Sequence, residues 1–82
     1  MRIVWDEPKR LANLDKHELD FGDLDIAFFE ASLVVPAKDG RLAAIGWSGD
    51  RALTVIFAMR GTEAISVVSM RPASAKERRF LP

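Results

Sequence analysis

The chain has 82 residues, 49% of them hydrophobic and 29% charged, with no cysteine and a formal net charge of zero. That length can close one core but not two, so a single domain over residues 1–82 is expected, held by apolar burial without disulfides or thiolate metal sites. "MRIVWDEPK" lacks the apolar run of a signal peptide and nothing approaches the ~20 apolar residues of a membrane span, which predicts a cytoplasmic protein with no membrane partner.

Residues 2–5, "RIVW", are β-branched and aromatic and read as a short strand. Asp6 then stands as a helix cap and Pro8 fits a first turn, so a helix is expected to about His17. At ~100° per residue Lys9, Asn13, Lys16 and His17 share one stripe, with Leu11 and Leu14 on the opposite side, toward the core. Asp20 and Asp23 resemble a capping arrangement ahead of Phe21, Leu24, Ala27 and Phe28, which predicts a second amphipathic helix over about 21–31 with an acidic outer face. From Ser32 the period changes to two. "KDGR", "SGDR" and "RGTE" each offer a two-residue glycine turn, giving antiparallel strands near 32–38, 41–48, 51–60 and 63–71. "RPAS" ends the last strand, and Ser74 with Glu77 has the S-x-x-E spacing of a capping box opening a short C-terminal helix. The order β-α-α-β-β-β-β-α belongs to the α+β class, with an antiparallel sheet packed on helices on one face.

Two-residue turns fix a register in which Lys38 pairs with Arg41, Ser48 with Arg51 and Arg60 with Glu63. One face then carries Leu33, Val35, Leu42, Ala44, Leu53, Val55, Phe57, Met59, Val68 and Met70 and should pack on the helices. The other carries Lys38, Arg41, Arg60 and Arg71 with Trp47, Thr54, Ser69, Ile45, Ile56 and Val67. Lys38, Arg41 and Arg60 collect at one end of it, while Thr54 faces Ser69 at the other, near Arg71 and Trp47. The plainer reading is a half-exposed sheet that solvates its outer face with arginines. The sign of the charge argues for a site instead: Glu63 is the one acid placed on this face, and cations around an aromatic suit phosphate contact with base stacking. The halves of the chain agree, since residues 1–40 carry five Lys/Arg against nine Asp/Glu and residues 41–82 seven against three. The neutral total thus conceals a cationic half that can meet an anion.

There is no glycine-rich phosphate loop, no H-E-x-x-H and no histidine or cysteine cluster, which argues against nucleotide hydrolysis and transition-metal catalysis; no cofactor is expected. His17 is the single histidine and so the residue to consider as acid or base near neutral pH. Its stripe is equally readable as a solvated helix face whose last turn sets cations on the dipole. Arg, Lys, His and Glu together suit RNA cleavage without metal: the ribose 2′-hydroxyl attacks its own phosphate, a base removes the proton and cations stabilise the pentavalent phosphorane.

"WDEPKRLANLDKH" fits W-D-x-x-K-x-x-x-N-x-x-K-H, followed by "DF", "GRLAAIG", a strand ending at Arg60 and "ISVVSMRPASAKERR". Over these motifs, which cover essentially the whole chain, the sequence resembles the BrnT ribonuclease toxins of type II toxin–antitoxin pairs, within the wider RelE-like group. The resemblance implies a RelE-like α+β fold and a metal-independent endoribonuclease that arrests translation. It further implies neutralisation by a BrnA-like antitoxin whose ribbon-helix-helix part represses the operon, so that operator DNA is met only through the antitoxin. Its motif positions are Trp5, Asp6, Lys9, Asn13, Lys16, His17, Arg41, Arg60, Arg71, Lys76, Glu77 and Arg78. On that basis Lys9, Arg41 and Arg60 would hold and neutralise phosphate, His17 or Glu77 would move protons, and Arg71 would bind the scissile group or anchor the last helix. Lys16, Lys38, Trp47, Lys76 and Arg78 are the expected RNA-contacting residues. Trp5, Asp6 and Glu77 also have structural readings, as strand end, helix cap and capping box. Where the common family form has glycine, this chain has Glu18. Two other functions stand beside cleavage: a toxin-like module that no longer cuts and acts as an antitoxin-binding co-repressor, and an inhibitor of a DNA-handling enzyme.

Overall fold

Small and β-branched apolar residues dominate the second half of the chain, and a computed structural model, which describes residues 1–82, shows them building a sheet. β1 (Arg2–Trp5), α1 (Glu7–His17), a 3₁₀ turn (Phe21–Asp23) and α2 (Ile26–Ala31) come first. β2 (Leu33–Pro36), β3 (Leu42–Ser48), β4 (Arg51–Arg60), β5 (Ala64–Pro72) and α3 (Ala75–Arg78) follow. The α+β class and the element order are as expected. The sheet has five strands in the order β1-β5-β4-β3-β2, because β1 adds in parallel to the edge of β5, from Arg2↔Ala64 to Trp5↔Val67. No helix is long and apolar enough to cross a membrane.

Of the three turns, only that between β3 and β4 has the expected two residues, with Ser48 opposite Arg51 and Gly49 at φ +62°. Between β2 and β3 the Ala37 N–H donates to the Arg41 carbonyl at 2.9 Å around a three-residue turn, Lys38–Gly40, in which Asp39 takes φ 60°. Between β4 and β5, Arg60 pairs with Ala64, leaving Gly61, Thr62 and Glu63 as the loop. An odd loop inverts the alternation of the strand it feeds. Leu33 and Val35, expected in the core, therefore lie opposite Ile45 and Ala43 on the outer face, and Val34 takes the inner side. In β5 the inversion turns Ile65 and Val67 inward until Val68, an unpaired bulge residue between Phe57↔Val67 and Ile56↔Ser69, restores the expected phase at Met70. Val67, expected outside, is thus 1% exposed, and Val68 leaves the core row.

The second helix is shorter than expected, because Asp25 interrupts it. Asp20 accepts the Gly22 N–H at 2.8 Å and caps the 3₁₀ turn, and Asp25 accepts the Phe28 N–H at 2.9 Å and starts α2 anew. Phe21 and Phe28 still face inward, joined by Phe29, whose ring meets Phe57 edge-on at 5.3 Å. With Leu19, Leu53, Val55, Ile65, Val67 and Met70 they form the core on the inner face. α1 is turned the other way from its periodicity: Asn13 is buried against β5 while Leu11 and Leu14 are 53% and 36% exposed. Where one-sided helix packing was expected, the four-residue α3 lies on the outer face, drawn there by Glu77, which accepts the Thr54 hydroxyl at 2.9 Å.

Candidate functional site

Parallel addition of β1 sets Arg2 beside Ala64, whose other neighbour is Arg60. Two strand spacings, about 10 Å, therefore separate the two arginine backbones on the outer face. α1 begins one residue after β1 and brings Lys9, in its first turn, over the same ground. The result is a cleft of 410 Å³ lined by Arg2, Val4, Trp5, Asp6 and Lys9 on one side and by Arg60, Glu63, Ala64, Ser66 and Val67 on the other. A second hollow of 360 Å³ continues along β5, between Lys9, Ala12, Asn13, Lys16 and His17 of α1 and Val68, Ser69 and Arg71. Lys9 lines both.

The charges in this trough are mostly free. Ion pairs in the chain involve only Arg10, held by Glu7 and Asp20, and Arg71, held by Glu77. Arg2, Lys9, Lys16, His17 and Arg60 have no carboxylate within ion-pair distance. Arg71 meets Glu77 in a two-pronged contact, Nη1 to Oε1 at 2.7 Å and Nη2 to Oε2 at 2.9 Å. Glu77 Oε1 also accepts the Ser74 N–H at 2.8 Å and the Thr54 hydroxyl, completing the capping box of α3. The Arg71 hydrogen bonds outweigh the burial penalty and hold the Glu77 carboxyl down at about 2, and the same pair raises Arg71. Arg71 therefore both borders the trough and anchors the last helix.

The expected site residues separate into groups. Lys9, Lys16, His17, Arg60 and Arg71 line the trough, and Glu77 joins them through Arg71. Arg41 leads into β3, two strands away from β5, and Lys38 sits in the turn before it. Trp47 and Arg78 border a different hollow of 270 Å³ with Ala75 and Arg79, and the Trp47 indole donates to the Pro82 carbonyl at 3.3 Å. Lys76 rims an apolar groove of 220 Å³ formed by Leu33, Val35, Ile45 and Phe80. Thr54 pairs with Arg71, not with Ser69. Arg2 and Ser66 enter the trough without having been expected there, because a parallel strand pairing carries no turn signature that sequence reasoning can read. Asp6 was read as a helix cap, yet its side chain makes no capping hydrogen bond.

A trough with free cations from two strands and a helix, lined by serines and by two carboxylates, Asp6 and Glu63, suits a phosphodiester chain: cations meet the phosphates and carboxylates are at hand to take up protons. Comparisons with known proteins point the same way. The family model for the ribonuclease toxin BrnT of type II toxin–antitoxin systems matches residues 5–77, which take in the opening motif and Glu77 of the closing one. A crystal structure of the Brucella abortus ribonuclease toxin BrnT aligns with a TM-score of 0.85 at 53% identity, over 90% of this chain and 97% of that one. Comparison with curated protein sequences gives no match.

Proposed function

The chain belongs to the BrnT family of ribonuclease toxins of type II toxin–antitoxin systems, and from that premise we propose that RNA lies in the trough along β5 and is cut there without a metal ion. The observation that carries this reading is Lys9: it is unpaired, and it is common to the cleft holding Arg2 and Arg60 and to the hollow holding Lys16, His17 and Arg71. A strand running along β5 would pass its scissile phosphate between Lys9 and Arg60 and its neighbouring phosphates past Lys16 and Arg71. The 2′-hydroxyl then attacks the adjacent phosphorus, and the two cations take up the growing negative charge of the phosphorane, where preorganised charge contributes most. Cutting RNA in this way would arrest translation.

As a type II toxin the protein has an antitoxin partner. We take it to be BrnA-like, with a ribbon-helix-helix part that reaches operator DNA, and to cover the trough with acidic side chains, because cations buried in a complex need partners. Incubation of the purified protein with RNA under chelation, both free and on ribosomes, tests the reading. Cleavage is expected, and it should be lost in Lys9→Ala and Arg60→Ala, while antitoxin binding is weakened but retained. Intact RNA in both settings, with undiminished operator repression by the variants, would assign the chain to the co-repressor class.

A further inference from the structure

Four helical starts in this chain have Asp or Ser at the cap, and three of those side chains accept an N–H from their own first turn: Asp20 from Gly22, Asp25 from Phe28 and Ser74 from Glu77. Asp6 does not. Its backbone is held firmly, with its carbonyl accepting the N–H groups of Lys9 at 3.0 Å and Arg10 at 3.1 Å. Its carboxylate makes no hydrogen bond and no ion pair, and the residue lines the cleft that contains Lys9 and Arg60. An aspartate in the position best suited to capping that leaves its acceptor oxygens unused is available for another task.

We propose that Asp6 is the carboxylate that takes the proton from the attacking ribose 2′-hydroxyl; this rests on the RNA-cleavage reading above. As the 2′-oxygen–phosphorus bond forms, the hydroxyl proton passes to an Asp6 carboxylate oxygen. The phosphorus–5′-oxygen bond breaks, the leaving 5′-oxygen takes a proton from water, and the products are a 2′,3′-cyclic phosphate and a 5′-hydroxyl. Asp6 and Lys9 stand three residues apart in the first turn, where such positions are neighbours, so acceptor and phosphate-binding cation reach one nucleotide together.

Geometry sets aside the alternatives. His17 stands eight residues beyond Lys9 on α1, about 12 Å at the helical rise from the cation set beside the scissile phosphate, and lines the hollow that lacks Arg60. Glu77 has both oxygens engaged by Arg71, Thr54 and Ser74. Glu63 lines the same cleft but belongs to a three-residue loop, on a longer and freer side chain. The charged groups facing Asp6 are thus Arg2 of β1, Lys9 of α1, Arg60 of β4 and Glu63.

The test is single-turnover cleavage of an RNA oligonucleotide under chelation from pH 4 to 9, for wild type, Asp6→Asn, Glu63→Gln and His17→Asn. Binding of the 2′-O-methyl form of the same oligonucleotide serves as a check on folding. A positioned proton acceptor contributes about 10²- to 10⁴-fold. Asp6→Asn should lose at least about a hundredfold in rate, and lose the acid limb of the pH profile, while binding the 2′-O-methyl form within about threefold of wild type. Glu63→Gln and His17→Asn should keep that limb. An Asp6→Asn protein that cuts at the wild-type rate, or a limb removed by His17→Asn or Glu63→Gln instead, overturns the assignment with the cleavage reading intact. A wild-type protein that leaves RNA whole, free and on ribosomes, overturns both.

Discussion

Asn13 closes the open edge of β5: its Oδ1 accepts the Met70 N–H at 3.0 Å while its Nδ2 donates to the Leu19 carbonyl at 3.1 Å. β1 pairs with β5 only as far as Val67, so beyond that point the edge faces α1 and not another strand. An asparagine that is 6% exposed supplies what the missing strand would have supplied. Asn13→Ala leaves a buried donor and a buried acceptor unpaired, each worth about 1–3 kcal/mol. Urea unfolding should show a loss of about 2–4 kcal/mol, against changes within about 0.5 kcal/mol for Lys9→Ala and Lys16→Ala. A variant as stable as wild type would mean that water replaces both contacts.

Asn13 also shows where pattern reading stops. Helical arithmetic grouped Lys9, Asn13, Lys16 and His17 correctly, but hydropathy turned the group outward and Leu11 with Leu14 inward, and an open strand edge that wants a side-chain amide leaves no mark on periodicity. The faces of β3 and β4 were legible because Gly49–Asp50 is a two-residue turn, and those of β2 and early β5 were not, because each neighbouring loop holds one residue more. In β5 the bulge at Val68 cancels the loop, so Met70 and Arg71 came out on their true faces and Val67 did not. The cations of the site were legible one by one. Their meeting was not, since Arg2, Lys9 and Arg60 converge through a parallel pairing between residues some sixty positions apart.

Glu18 ends α1 at φ 56° and ψ 31°, with its N–H donating to the Leu14 carbonyl at 2.9 Å. A side chain in that left-handed region costs about 1–2 kcal/mol, which glycine avoids. Glu18→Gly should raise the unfolding free energy by about 1 kcal/mol and the melting temperature by several degrees, whereas Glu18→Ala, which keeps the strain, should not. Equal behaviour of the two in a thermal melt would remove the backbone explanation.

The Arg71–Glu77 pair makes the attachment of α3 depend on pH. Glu77 is held at about 2 in the folded chain against an ordinary value of 4.5. A depressed carboxyl contributes stability that is complete above the unfolded value and disappears as pH falls through the folded one, so the loss falls between about 4.5 and about 2. Glu77→Gln should be less stable than wild type at pH 7, by on the order of 1 kcal/mol for a pair whose arginine is 39% exposed, and the two should converge as pH approaches 2. Parallel urea midpoints across that range would show that the pair adds nothing to stability.

Counting released counterions separates cations that meet RNA from cations that merely share its face of the sheet. Each phosphate neutralised on a single strand contributes about −0.7 to the slope of log K against log salt. With a 2′-O-methyl oligonucleotide, which binds without offering a nucleophile, Lys9→Ala and Arg60→Ala should each make the slope shallower by about 0.7, and the double variant by about twice that. Lys38→Ala, in the turn before β3 and outside the trough, should weaken binding little and leave the slope as it was. If Lys38→Ala changed the slope as much as Lys9→Ala, RNA would have to cross the strands toward β3 instead of following β5, and Arg41 would then belong to the binding surface. The slope reports the path of the backbone directly, because Lys9 and Lys38 carry the same charge and differ only in where the fold has put them.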